Sequence, residues 1–453
     1  MSVKSTLYFA FIALLLVAAA DSAQQNSSAS AKTAPAAASD SNQPIAIVGG
    51  KLLTITHGTI EDGVLVIENG KIAAVGAAGA AKVPANAQVI DAKGMTVYPG
   101  LIDSESHLGL TEIEADKMTN DLVEPSDEIM PHMHVADAFH AETALIPVTR
   151  YNGITNAIVA PESKDTLPGQ DSFIQLAGAD ATEMLLVRDI AMPLNFTGKQ
   201  RRNESFATAQ YPQTRMGMAA QMRQAFTDAQ GYAAKWDEYN KKKAAAKASE
   251  PPPSPPSRDL KLEALLPYLE GKKPVVVKAE EPSDVETAYA LAQEFKLRII
   301  LNGLTQSQSI YDKIAQWKLP VILGSIYDAP KEWERYDAVY KMPAELSKRG
   351  VKIAFASFDA HQVRNLPYAA GFAVAFGLPY DEAMKALTLY PAQIWGVDDQ
   401  LGSLDVGKTA NVVVANGDPL DVKTDVKRVF IQGREAPMVD RQTELRDRYS
   451  NRQ

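Results

Sequence analysis

Val97-Tyr98-Pro99-Gly100-Leu101-Ile102-Asp103-Ser104-Glu105-Ser106-His107-Leu108-Gly109 is an apolar run that ends in alternating polar side chains. In a β-strand, residues two apart point the same way, so Asp103, Glu105 and His107 are expected to leave one face together near the strand's C-terminal end. Each can ligate a metal or carry a proton.

The pattern continues on both sides of this stretch. Upstream, from Ile45 to Val97, come short strands and turns: IAIVGGKLLTI, then GVLVIENGKIAAVG with Asn69-Gly70 as a hairpin turn, then AQVIDAKGMTVYPG. Downstream, strands and helices alternate, which predicts a parallel sheet that closes on itself as a (β/α)8 TIM-like barrel over 98–398. After Val97–Gly109 its strands are expected at Ile154–Pro161, Asp171–Gly178, Met184–Phe196, Pro274–Glu281, Arg298–Thr305, Leu319–Ser325 and Val351–Asp359. Helices are expected at Ser283–Phe295, Tyr380–Thr388 and Met216–Tyr239. The segment 239–258, KKKAAAKASEPPPSPPSR with its flanks, is expected to be a solvated excursion because of its Lys run and Pro cluster. Strands return at NVVVANGDP and KRVFIQGR within 399–435, and 436–453 reads as a C-terminal tail.

At 453 residues and 46% hydrophobic, the chain can bury one large core or two domains. A net charge of -9 argues against nucleic acid as a partner, since phosphate binding needs a basic face. With no cysteine, there is neither a disulfide nor a thiolate metal site, and any metal must be held by His, carboxylate or a modified Lys. Lys4 followed by LYFAFIALLLVAAA reads as a signal peptide over 1–23, too short to span a bilayer, where about 20 apolar residues are needed. A flexible linker, 24–44, follows, and export to a bacterial periplasm or the medium is expected, with no stable membrane anchor after cleavage.

The opening stretch resembles the first barrel strand of the amidohydrolase superfamily, PGLIDxHxH, with Glu105 where the family has its first His. A second motif, Gly402-Ser403-Leu404-Asp405-Val406-Gly407-Lys408-Thr409-Ala410-Asn411-Val412-Val413-Val414, resembles the family's closing signature, with Asn411 replacing the usual Asp. The likeness is nearest to the imidazolonepropionase-like and dipeptidase-like branch. It implies that 45–97 and 399–435 pair into a small composite β-sandwich. It also implies hydrolysis of a carbon-nitrogen bond other than an ordinary peptide bond, by water activated on a divalent metal, zinc first.

Carried over residue by residue, the resemblance makes Glu105 and His107 metal ligands and Asp359 the proton-shuttling catalytic carboxylate, with Phe358 an alternative occupant of that position. The fifth-strand His falls on Lys278, whose ammonium has no lone pair, and the sixth-strand His on Asn302. No Lys lies between Met184 and Phe196, so no carbamate bridge is expected. Two readings follow. In one, Glu105, His107 and Asp359 hold one ion and the protein is a hydrolase. In the other, Lys278 ion-pairs with Glu105 and Asp359 in place of a metal, and the protein is a binding or scaffold protein. The resemblance leaves open a homo- or hetero-oligomer with a related amidohydrolase.

Other side chains are candidates for contact with a small-molecule substrate. His132 and His134 lie in a long loop expected over the barrel mouth, near Asp137 and His140; His361 and Arg364 follow the eighth strand. His57 reads as a surface residue, Arg201-Arg202 as a solvated pair, and Leu167–Ser172 as a turn. A G-x-S-x-G elbow, a P-loop and a dinucleotide fingerprint are all missing.

Overall fold

Apolar residues at alternate positions build two sheets. The computed structural model describes residues 43–162, 164–196, 211–212, 214–247, 251–305, 307–324 and 335–450. The expected signal peptide, most of the linker and Arg201-Arg202 lie outside them. Residues 42–453 cluster as one compact unit. Among the described residues, no helix is long and apolar enough to cross a membrane.

The first sheet draws on both ends of the chain. Its N-terminal strands are β1 (Ile45–Leu53), β2 (Thr59–Glu68), β3 (Lys71–Ala77), β4 (Gln88–Asp91) and β5 (Thr96–Pro99). The second contains β6 (Leu101–Ser106), β7 (Ile154–Val159), β8 (Asp171–Gln175), β9 (Leu185–Asn195), β10 (Val275–Ala279), β11 (Ile299–Gly303), β12 (Val321–Leu323) and β13 (Ile353–Phe355). β14 (Val412–Ala415), β15 (Val426–Ile431) and β16 (Arg434–Glu435) then complete the first sheet, in the order β16-β15-β14-β5-β1-β2-β3, with β4 paired to β1. The antiparallel β14–β5 pairing joins the two ends of the chain. Asn411 reinforces that join: its Nδ2 donates to Asn156 Oδ1 of β7 at 2.8 Å, and its Oδ1 accepts from Gln432 N at 2.8 Å. Between β5 and β6, Gly100 has no room for a side chain, because a Cβ there would sit 2.1 Å from Thr155 Oγ1.

The second sheet is a nearly closed eight-strand barrel in the order β13 to β6, giving a mixed α/β fold. Its edges meet where Phe358 N donates to Glu105 O at 3.0 Å and His107 N to Asp359 O at 3.1 Å. One strand departs from the expected parallel pattern: β8 runs antiparallel to both β7 and β9. Alternation records which face is buried and is silent on direction.

Residues from every strand form the barrel's core: Ile102, Ile158, Phe173, Ile190 with Ala191, Val276, Ile300, Ile322 and Ala354. Ile394 and Trp395, from the helix Leu389–Trp395, join it. Ile394 also lines a pocket with Arg298, Leu319 and Lys352, the residues just ahead of β11, β12 and β13, so the plug is at the strands' N-terminal end. The other end is left for polar groups.

The helix Pro282–Phe295 begins with Pro at its first turn and a capping box between Glu281 and Asp284, and it ends at Lys296 in the left-handed conformation. The excursion expected over 239–258 starts later than its sequence suggests. The helix Arg215–Ala245, capped by Thr214, carries the Lys run, because Lys and Ala are strong helix formers and only the following prolines are breakers. The expected tail contains the helix Arg441–Ser450.

Candidate functional site at the barrel mouth

Two residues beyond Val276 and Ile300 on the same faces come Lys278 and Asn302, so both project inward one layer above the apolar core. They are cross-strand neighbours, and Asn195 of β9 is the neighbour of Lys278 on the other side. Because β8 is reversed, Asp171, two residues before Phe173, reaches the same level from its strand's first position.

Glu105 enters this layer from β6 and is held from across the ring. Asn302 Nδ2 donates to its Oε2 at 2.5 Å, and the described residues give the second oxygen no hydrogen bond. Burial pushes the Glu105 carboxyl up to about 7, against the opposing pull of Lys278 and Asn302. Asp171 is raised well above the usual range by burial and then by the charge on Glu105, and its Oδ1 is buried with no hydrogen-bond partner. Asp103 is pushed up to about 7 by burial. Its Oδ1 accepts from Glu105 N and Ser357 N, both at 3.1 Å, while Oδ2 has no partner. The β6–β7 register shifts between Asp103 and Ser106, so the expected common projection is interrupted and Asp103 serves the seam with Ser357 instead.

His107 contacts Ala160 O through Nδ1 at 2.8 Å. A carbonyl only accepts, so Nδ1 carries the proton and Nε2 keeps its lone pair. Burial lowers its pKa, which favours that neutral form. Lys278 lies close enough to act electrostatically on both Glu105 and His107. Among the described residues it forms no ion pair within 4.0 Å, so the expected Lys278–Glu105–Asp359 ion cluster is not made. Asn302 occupies the Glu105 oxygen instead.

Asp359 stands at the rim. Its Oδ1 caps the next turn, accepting from His361 N at 2.5 Å and Gln362 N at 2.9 Å. Its backbone neighbour Phe358, at φ 51°, packs its ring against the barrel core, which separates the two occupants that the sequence left open. The expected trio of Glu105, His107 and Asp359 is not the group that gathers. Among the described residues, Glu114, Asp359 and His361 are the set of three whose ligand atoms all lie within 4.8 Å of one another. His361 Nε2 lies 3.2 Å from Glu112 O, which leaves Nδ1 as the lone-pair nitrogen.

By donor type, this rim group fits a divalent cation. The inner pair, Glu105 and His107, fits less well: among the described residues it belongs to no group of three ligand atoms within that radius, and a lysine acts on both. Arg364 lines a pocket of about 280 Å³ with Glu112, Leu145, Thr149, His361 and Arg441, and makes no ion pair with Asp359 among the described residues.

The expected reach of His132 and His134 over the mouth is not seen. His134 Nδ1 lies 2.6 Å from Asp189 Oδ1. The charged neighbours of His132 are Lys261, His134, Asp127 and Asp259, and burial lowers its pKa. Both histidines belong to the packing of the loop against strand and helix. His57 is exposed beside Asp405, as expected, and His140 is exposed beside Asp121.

Asp171 and Asn195 were not candidates from sequence. Asp171 reads as part of a turn, and only the C-terminal ends of strands are natural places to look when every strand is taken as parallel. Asn195 could have been found by aligning the ends of β9 and β10.

Comparison with known proteins agrees with this architecture. The model of the amidohydrolase family matches residues 328–436, which include the closing motif. Amidohydrolase tasK of Hapsidospora irregularis is 26% identical over 376 residues, which are 78% of this chain and 38% of that protein. The chain therefore spans about two-fifths of the length of this curated relative. An amidohydrolase from Thermotoga maritima MSB8 superposes with a TM-score of 0.78 at 28% identity, covering 88% of this chain and 100% of the other. A prolidase complexed with N-methylphosphonate-L-proline superposes at 0.52 with 18% identity, covering 87% and 99%, a likeness of fold.

Proposed function

Because the chain belongs to the amidohydrolase superfamily, we propose that it is a hydrolase of carbon-nitrogen bonds acting at the C-terminal mouth of its barrel. The nearly closed ring is read as a (β/α)8 barrel with one reversed strand, and polar groups at the strands' C-terminal ends are where such barrels do chemistry. The observation that carries the reading is Glu105: a buried carboxyl tuned to about 7, tied through one oxygen to Asn302 and open at the other. A group with that tuning can take and return a proton near neutral pH.

Glu114, Asp359 and His361 would hold a divalent cation at the rim. Bound there, such an ion polarises a scissile carbonyl and lowers the pKa of water. Glu105 accepts the proton of the attacking water and returns it to the leaving nitrogen. Asn302 keeps Glu105 in one orientation through that transfer. His107, neutral and fixed by Ala160, offers Nε2 as a hydrogen-bond acceptor beside it.

Lys278 and Asn302 support a second reading, a binding protein without turnover, because neither residue replaces the metal-binding imidazole that the family carries. One experiment separates the two. Protein loaded with zinc or manganese is incubated with N-acyl amino acids, dipeptides and cyclic amides. Turnover that Glu105→Gln lowers by about a hundredfold or more, with the fold kept by circular dichroism, supports the hydrolase. Binding without turnover in any metal form overturns it in favour of the second reading.

A further inference from the structure

Carboxyl groups gather in and at the rim of the barrel mouth, Asp103, Glu105 and Asp171 within it and Glu114 and Asp359 at the rim, and among the described residues Lys278 stands with them without an ion pair. Lys278 is half-buried on the inner face of β10, between the amide side chains of Asn195 and Asn302 on the flanking strands. Glu105, a carboxylate with which it interacts electrostatically, is turned towards Asn302 by their 2.5 Å hydrogen bond. A half-buried cation without a counter-ion has lost hydration and received no partner in exchange. Its cross-strand neighbours carry neutral amides, and among the described residues no carboxylate lies within 4.0 Å of its ammonium.

We infer that Lys278 is a recognition site for a carboxylate group on the substrate, so that the protein takes anionic amides such as N-acyl amino acids. The proposal rests on reading the mouth as a substrate site. An anionic group entering the mouth is attracted at this position, while burial favours the neutral form of the carboxyl groups Asp103, Glu105 and Asp171 beside it. With its carboxylate seated on Lys278 at the inner layer, the rest of such a molecule extends towards Glu105, His107 and the Asp359 rim. A lysine ammonium, a compact charge with three donors, suits one carboxylate oxygen without a fixed fork geometry.

The test compares N-acetyl derivatives of the common amino acids with their uncharged carboxamides, which differ only in the charged group. Binding is followed by thermal shift and titration calorimetry at pH 7 in low salt. At least one acid is expected to bind about tenfold more tightly than its carboxamide, the value of one charge-assisted hydrogen bond. Lys278→Gln should abolish that preference, and Lys278→Arg should retain part of it, which guards against a folding defect in the Gln variant. Acids that bind no better than carboxamides across the set, no binding of either class, or a preference that survives Lys278→Gln would each overturn the assignment. Acids that bind through Lys278 and are never hydrolysed overturn the hydrolase and leave the anion site standing.

Discussion

Asn302 Nδ2 lies 2.5 Å from Glu105 Oε2, a hydrogen bond that crosses the ring between strands β11 and β6, which are 197 residues apart in the chain at these two positions. It joins two of the three places, Glu105 and Asn302 but not Lys278, where the sequence departs from the histidines that the resemblance implies, and it gives those two a common physical account. A carboxylate that replaces a histidine needs a donor, and an amide supplies one where a second imidazole would otherwise stand.

Removing that donor should be costly in proportion to the charge on Glu105. Asn302→Leu leaves a buried carboxyl without its partner and is expected to destabilise the fold by about 1–3 kcal/mol. Urea denaturation should show a larger loss at pH 8, where Glu105 is ionised, than at pH 5, where it is protonated. Equal losses at the two pH values would mean that the hydrogen bond does not depend on the carboxylate.

The buried carboxyls predict a stability profile in the metal-free protein. Glu105 is raised from 4.5 to about 7 in the folded state, so the folded chain binds the proton more tightly than the unfolded chain. The resulting stabilisation is fully present below about pH 4.5 and is lost as pH rises through about 7. For Glu105 alone it is on the order of 3 kcal/mol. Asp103, raised from 3.8 to about 7, acts in the same direction. Unfolding free energy should therefore fall between pH 5 and pH 8, and Glu105→Gln should flatten the slope. A wild-type slope of the opposite sign over this window would contradict the burial argument.

Metal titration locates the ion. A cation present at a hundredfold its Kd stabilises the folded state by about 2.7 kcal/mol, visible as a higher melting temperature. That gain should disappear in His361→Ala and in Asp359→Ala, and it should persist in His107→Ala. The reverse pattern would move the ion inward to Glu105 and His107.

Gly100 tests the join between the two sheets. Its Cβ in Gly100→Ala would meet Thr155 Oγ1 at 2.1 Å and Cγ2 at 2.4 Å. The expected loss is about 1–3 kcal/mol, as for other overpacked sites. In a Thr155→Gly background the same substitution should cost clearly less, and a purely additive double variant would show that the clash is relieved elsewhere.

Much of this architecture is legible in the sequence because it depends on local pattern. The PGLID stretch, the strand at Pro274–Glu281 and the helix at Ser283–Phe295 each carry their period and their caps within a few residues, and the structure places elements at all three. Gly100 and the closing motif are explained the same way, by the close approach of β5, β7 and β14. Local pattern fails at the Lys run of 241–243, where charge suggested solvent and helix propensity prevailed.

The sequence by itself determined which residue types stand at the barrel mouth: Glu105, His107, Lys278, Asn302 and Asp359. Only the tertiary structure decided how they pair. It bonded Asn302 to Glu105, left Lys278 without a counter-ion among the described residues, grouped Asp359 with Glu114 and His361, drew His134 to Asp189, and reversed β8 so that Asp171 entered the ring. Periodicity states which face of a strand is buried. Partnership between residues hundreds of positions apart depends on strand order, direction and register, and these are set by the packing of the whole chain.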